Sequence, residues 1–309
     1  MRKKIIALSL LLFAGAVFGQ QDAQFTQYMY NTININPGYA GSREAMSFFI
    51  LHRTQWVGLE GAPKTNTASM NTPINGSNIG LGISIVNDKI GPSSENNLAV
   101  DFSYSIRTSE EYELSLGIKA TANLLNIDFN KLNQYDPSDP IFEENIDNKF
   151  SPNIGFGFYL HSDKSYLGLS APNLLETKHF DSYAGSESTS HVAKEKVNLY
   201  LIAGYVFDLT YDLKFKPSLL AKYVQGAPLQ VDLSANMMYN NMFVLGLAYR
   251  WSAAVSVMAG FQVTDSWFIG YGYDLETTQL ANYNSGSHEL FLRFELFKKY
   301  DKIISPRFF

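Results

Sequence analysis

Tyr112-Glu113-Leu114-Ser115-Leu116-Gly117-Ile118-Lys119-Ala120-Thr121-Ala122-Asn123-Leu124 alternates apolar with polar or small residues without a break. Period two over this length is a β-strand with one greasy face and one polar face. The pattern recurs. Leu98, Val100, Phe102, Tyr104 and Ile106 alternate with Ala99, Asp101, Ser103, Ser105 and Arg107. Val231, Leu233, Ala235 and Met237 alternate with Asp232, Ser234 and Asn236, and Leu290, Leu292, Phe294 and Leu296 with Glu289, Phe291, Arg293 and Glu295. A soluble sandwich also alternates, but its strands typically run ~5–6 residues. Many strands here reach the ~9–11 residues that cross a bilayer. Aromatic residues gather near strand ends, at Tyr249, Trp251, Trp267, Tyr271 and Tyr273, as in the girdles of membrane barrels.

Fourteen strands are expected, near 45–55, 64–72, 78–88, 95–107, 111–126, 151–161, 164–171, 196–208, 213–224, 229–239, 242–251, 254–264, 266–274 and 287–297. The predicted fold is thus all-β: a transmembrane outer-membrane β-barrel of about 14 antiparallel strands, even in number as bacterial single-chain barrels are. The links after even-numbered strands are short: Pro73 to Ser77, Thr108 to Glu110, Ser162-Asp163, Leu209 to Asp212, Asn240-Asn241 and Asp265. The three longest links, Ile127 to Phe150, Pro172 to Glu195 and Leu275 to Gly286, all follow odd-numbered strands. Short periplasmic turns and long outer loops produce this parity. It places both termini in the periplasm.

Composition agrees. Charged residues make up 17% and aromatics 14% of 309 residues, against ~25% charge in an average soluble domain. Mean hydropathy is close to zero, as expected when lipid-facing and lumen-facing residues alternate. Arg2, Lys3 and Lys4, the apolar run from Ile5 to Phe18, and small residues at Val17 and Gly19 form an export signal, residues 1–19. The barrel domain is then 20–309, with 20–44 a periplasmic N-terminal segment and 298–309 a C-terminal tail. Pro37-Gly38 reads as a turn, and the aromatic run before it as packing under the barrel from the periplasm. Loss of the signal leaves 21 basic against 29 acidic residues, a net charge of -8, which argues against nucleic acid as a partner. The absence of cysteine excludes a lipoprotein anchor, disulfides and thiolate metal sites.

No catalytic, cofactor-binding or metal-binding residues stand out. His52, His161, His179, His191 and His288 show no tight ligand spacing. The acidic loop with Asp128, Asp136, Asp139, Glu143, Glu144 and Asp147 matches no calcium loop. No G-x-S-x-G elbow occurs, and Tyr183-Ala184-Gly185-Ser186 does not supply one. An enzyme is not expected. Alternation places Asp101, Arg107, Glu113, Lys119, Lys214, Lys216, Lys222, Asp232, Arg250, Glu289, Arg293 and Glu295 in the lumen. Two readings stay open: a polar network that closes the lumen, or a water-filled pore.

Further motifs occur in a fixed order. They begin with Gln21-Asp22-Ala23-Gln24-Phe25-Thr26-Gln27-Tyr28-Met29-Tyr30-Asn31 and Asn36-Pro37-Gly38-Tyr39-Ala40-Gly41-Ser42. Arg53-Thr54-Gln55-Trp56-Val57-Gly58, Gly61-Ala62-Pro63-Lys64-Thr65 and Asn87-Asp88-Lys89-Ile90-Gly91 follow. Then come Ser151-Pro152-Asn153-Ile154-Gly155-Phe156-Gly157 and Gly168-Leu169-Ser170-Ala171-Pro172-Asn173-Leu174-Leu175. Last are Lys216-Pro217-Ser218, Gly270-Tyr271-Gly272-Tyr273-Asp274, Ser287-His288-Glu289 and Ser305-Pro306-Arg307-Phe308-Phe309. Over essentially the whole mature chain this series resembles the PorP/SprF family of type IX secretion and gliding motility.

The resemblance implies an outer-membrane barrel that supports export or surface attachment of a large adhesin. The implied partners are the adhesin's C-terminal domain, periplasmic secretion ring and motor proteins, and outer-membrane lipid. It brings no catalytic residues and no cofactor. Trp56 with Gly58, Gly61 and Pro63 reads as a structured outer loop, and Gly91-Pro92 caps another. A passive porin or solute channel is the main alternative, and an outer-membrane hydrolase ranks third.

Overall fold

In the computed structural model, residues 25–132, 145–176 and 196–296 are described. The strands are β1 (Met46–Thr54), β2 (Lys64–Pro73), β3 (Ile79–Ile90), β4 (Ser93–Arg107), β5 (Glu113–Ile127), β6 (Ile146–His161), β7 (Ser165–Ala171) and β8 (Asn198–Tyr205). They continue with β9 (Phe207–Asp208), β10 (Leu213–Val224), β11 (Gln230–Tyr239), β12 (Phe243–Arg250), β13 (Ala254–Gln262), β14 (Trp267–Glu276) and β15 (Ser287–Leu296). β8 and β9 are one stave. Gly204 pairs with Ser218 and Phe207 with Phe215 in a single register, and the lapse between them faces Pro217, which has no N–H to donate. Each pair of neighbours is antiparallel, and β1 closes on β15 from Met46↔Leu296 to Thr54↔His288. The result is a closed ring of fourteen staves, as expected.

The ring satisfies every stave's neighbours without an open edge, which is what hydrocarbon demands of a sheet. Its outer face is a belt of exposed apolar side chains, among them Ile50, Ile85, Val100, Ile118, Ile154, Leu169, Leu245 and Leu247. Tyr112, Tyr205, Phe243 and Trp267 mark the belt's edge near the short turns. Tyr223, Tyr249 and Trp251 mark the edge near the long loops. The turn after β4, for instance, is closed by Thr108 N–H donating to the Tyr112 carbonyl at 2.9 Å.

Two differences from expectation have physical reasons. β6 begins five residues earlier than the predicted 151. Asn148 has φ +48° and sits in a register irregularity against Leu125 and Ile127, so the alternation that signals a strand is broken there. The larger correction concerns the N-terminal segment. Expected to pack beneath the barrel, its described part, 25–44, runs through the lumen instead. Three short 3-10 helical turns, Tyr28–Tyr30, Thr32–Asn34 and Pro37–Tyr39, stack along the bore. Thr26 lies beside Asp274 and Glu289 at the long-loop end, and Gly41 beside Pro73 and Gly80 at the short-turn end.

The segment fits because the inner wall is shaped for it. Tyr28, Met29, Tyr30, Ile33 and Tyr39 are buried against inward-facing Phe49, Leu51, Tyr159, Tyr166, Ile202, Phe268 and Phe291. The bore therefore holds an apolar core where a wholly polar lumen was expected. Where the segment passes closest, the wall is bare: a Cβ on Gly117 would collide with the backbone of Pro37 and Gly38. Residues 1–19 and 298–309 lie outside the described residues.

Candidate functional site

The lumen and its outer mouth carry the polar structure of the protein. At the long-loop end, Arg53 of β1 is 2% exposed and pairs with Asp274 at 2.7 Å and Glu289 at 2.9 Å. The same carboxylates hold the N-terminal segment. The Thr26 hydroxyl donates to Asp274 at 2.7 Å. The Thr26 and Gln27 backbone N–H groups donate to Glu289 at 3.2 and 3.0 Å. One guanidinium, two carboxylates and two backbone donors thus form a latch with both partners of each charge in place, which is the condition for burying charge without net loss.

Further along the bore the pattern repeats. Lys119 pairs with Asp101 at 2.8 Å and donates to the Ile33 carbonyl at 3.1 Å. Ser103 donates to Ala40 at 2.7 Å, Ser170 to Ile35 at 2.7 Å, and Asn36 to the Phe158 carbonyl at 2.9 Å. Lys119, Ser103 and Ser170 thus satisfy, from the wall, carbonyls that a 3-10 stretch leaves without partners, while Asn36 of the segment reaches out to a wall carbonyl. Near the short-turn end Arg43, at the segment's exit, pairs with Glu295, and Arg293 stands 3.8 Å from that carboxylate. Arg293 also lies over the Phe268 ring, 5.1 Å from its centroid, and Lys216 over Tyr30 at 5.6 Å.

Of the twelve charges assigned inward by alternation, Asp101, Lys119, Lys216, Lys222, Asp232, Glu289, Arg293 and Glu295 are buried in the bore. Arg250 joins them through Asp232 at 3.0 Å. Glu113 and Lys214 are half-buried and Arg107 exposed, all three near the short-turn mouth. The polar groups therefore form a closed network, but its main partner is the inserted segment. The fit is close: the gap between Thr26, Met29 and β11–β13 has a volume of about 10 Å³, room for about one water.

Arg53, Asp274 and Thr26 were not among the inward residues expected from the sequence. On β1 both faces are apolar, with Phe48 and Ile50 outside and Phe49 and Leu51 inside, so alternation carries no contrast there. The one available signal was that Arg53, Asp274 and Glu289 all fall in the motif series.

The outer mouth is bordered by a structured collar. Trp56 Nε1 donates to Glu276 at 3.0 Å, and its backbone N–H to Ser287 Oγ at 3.2 Å. Val57 N–H donates to Gly286 and Ser285 N–H to Val57, so the β1–β2 and β14–β15 loops pair like strands. Gly91 N–H donates to Gly61 at 2.9 Å, and Asp128 N–H to Pro92 at 3.1 Å, extending the collar to the β3–β4 turn. Both expected loop structures, at Trp56–Pro63 and at Gly91-Pro92, are thus present.

His52, on the outer face, contacts Asn66 at 2.7 Å and Thr54 at 3.1 Å, while His288 contacts Tyr271. His161 faces the lumen beside Tyr159. His179, His191, Asp136, Asp139, Glu143, Glu144 and the stretch 183–186 lie outside the described residues. Asp128 pairs with Lys131 at 3.1 Å. Among the described residues no three His, Cys, Asp or Glu side chains are grouped to hold a metal.

A family model described as type IX secretion system membrane protein PorP/SprF matches residues 17–294. No curated protein matches the chain. Solved barrels resemble it in fold. The CymD monoaromatic hydrocarbon channel is 12% identical, with 89% of this chain and 94% of that one covered, at a TM-score of 0.51. A TodX deletion mutant, also a monoaromatic hydrocarbon channel, is 10% identical over 88% and 94%, at 0.50. Omp33 of Acinetobacter baumannii is 8% identical over 82% and 100%, at 0.46. At such identities the likeness is one of architecture.

Proposed function

The chain belongs to the PorP/SprF family of type IX secretion system membrane proteins, and from that premise we propose that this outer-membrane barrel is a docking component that supports export or surface attachment of a large secreted adhesin. The role is non-catalytic. Residues 1–19 direct export, the long loops face the outside and the short turns the periplasm. The collar around Trp56 is then the surface presented to the adhesin's C-terminal domain, and the short-turn face is presented to the periplasmic ring and motor proteins. Force passed from that motor through the barrel to the adhesin would serve gliding.

The observation that carries this reading is the filled bore. A lumen occupied by residues 25–44, with an aromatic core and a buried ion latch, is a poor conduit for an unfolded cargo. The same fact weighs against the alternative, a passive solute channel. A rigid plug and a hydrogen-bonded collar suit a surface that holds a partner, because pre-ordered loops lose little entropy on binding.

Trp56→Ala and deletion of 176–194 test the role of the outer loops in adhesin display, with the folded barrel verified by its heat-dependent gel mobility. Reduced display with a folded barrel is expected, and normal display in both variants removes the outer loops from the proposal. Reconstitution in liposomes separates the alternative: large, steady conductance from the unaided wild-type protein favours the channel.

A further inference from the structure

On the membrane side the wall has a dent. Ala203 on β8 and Pro217 on β10 put small side chains where neighbouring positions carry large ones, and the missing rung opposite Pro217 thins the sheet at Tyr205. The result is an apolar groove of about 500 Å³ between Leu160, Leu167, Leu219 and Leu233, running toward the short-turn edge at Tyr112 and Tyr205. Beyond those two tyrosines, which line both spaces, opens a polar cavity of about 530 Å³. Glu44, Glu110, Glu111, Glu113 and Asp163 face it, with Arg107 and Lys164 as the cations. Lys164 is already paired with Asp208 at 2.7 Å. The cavity is therefore strongly acidic apart from one guanidinium.

We propose that groove and cavity together hold one membrane phospholipid with a zwitterionic, amine-bearing headgroup. The groove opens onto hydrocarbon, so its occupant is drawn from the bilayer, and an acyl chain is what the bilayer offers. The polar space begins where the girdle tyrosines end the apolar belt, which is headgroup depth. Its excess of carboxylates selects an ammonium, while Arg107 meets the phosphate. A headgroup with net negative charge meets uncompensated repulsion there. The inference is independent of the secretion role.

The test uses the full-length protein, folded in mild detergent, incubated with equal amounts of phosphatidylethanolamine and phosphatidylglycerol, and read by native mass spectrometry. One retained phosphatidylethanolamine per barrel is expected in preference to the anionic lipid, by about fivefold for each unit of charge contrast. Ala203→Trp fills the groove and abolishes retention, while Ile50→Trp, on the lipid-facing side of β1 seven staves away across the ring, leaves it unchanged. Glu110→Lys with Glu111→Lys, on an exposed turn that tolerates change, reverses the headgroup preference. Equal retention of both lipids by the wild type overturns the proposal. So does unchanged retention in a folded Ala203→Trp protein, or unchanged preference in the double variant.

Discussion

Arg53→Ala is the most informative single perturbation. Arg53 is 2% exposed and is the common cation of Asp274 and Glu289. Removing it leaves two carboxylates facing each other in the bore with only Thr26, Gln27 and neighbouring hydroxyls as donors. Breaking a buried pair by deleting one partner costs about 3–5 kcal/mol. The barrel wall has the whole hydrogen-bonded ring to hold it, whereas residues 25–30 are held by this latch and by packing, so the cost falls on the seated segment. At 1.4 kcal/mol per tenfold, the released fraction rises by roughly a hundred- to several-thousand-fold.

The chain has no cysteine, so Ile33→Cys, at a position 1% exposed, gives a single thiol that reports release. Maleimide labelling of Ile33→Cys is expected to be very slow in an otherwise wild-type barrel and to accelerate by that factor with Arg53→Ala. Adding Asp274→Asn and Glu289→Gln removes the uncompensated charge and should recover part of the protection. Labelling that stays at the wild-type rate in a folded Arg53→Ala barrel refutes the latch.

Other consequences follow from the same packing. Gly117→Val should displace the segment at Pro37-Gly38 and expose the same thiol reporter, because its side chain has no free volume to enter. Phe291 stacks with Tyr30 at 4.8 Å and Phe49 at 5.5 Å; Phe291→Ala should lower unfolding stability by about 3–5 kcal/mol, read as a shift of the urea midpoint in lipid vesicles. Ile118→Arg puts a charge on the outer belt of β5, where it should cost about 2–4 kcal/mol if the residue sits near the midplane, seen in the same titration.

The staves were readable in the sequence because each is long and, on β4, β5 and β11 especially, sets a greasy face against a polar one. The order of short and long links gave the ring its two distinct ends. What fills the ring was not readable. Tyr28, Met29, Tyr30 and Ile33 would be equally apolar under the barrel or within it, and the deciding feature is the bare inner wall at Gly117, which requires knowing which residues face each other across the bore. The inward aromatics Phe49, Phe268 and Phe291 were hidden for a related reason: their strands carry large apolar side chains on both faces. Nine of the twelve inward charges sit in the bore and the other three at its short-turn mouth, since alternation along one strand suffices to place them. Their true partner lay more than eighty residues away in the chain for Lys119 and Ile33, a distance no local pattern spans.

Glu289 belongs to the last stave and Arg53 to the first, and the two stand opposite each other where the ring is sewn shut. The stitch that joins the chain's two ends is thus also the clasp on its inserted segment. Parting these staves would draw the guanidinium from both carboxylates and leave Thr26 bound, through Asp274 and Glu289, to two negative charges with no cation between them. An opening of the seam in this molecule is therefore felt at once by the stopper, whose clasp loses its cation the moment the first stave leaves the last.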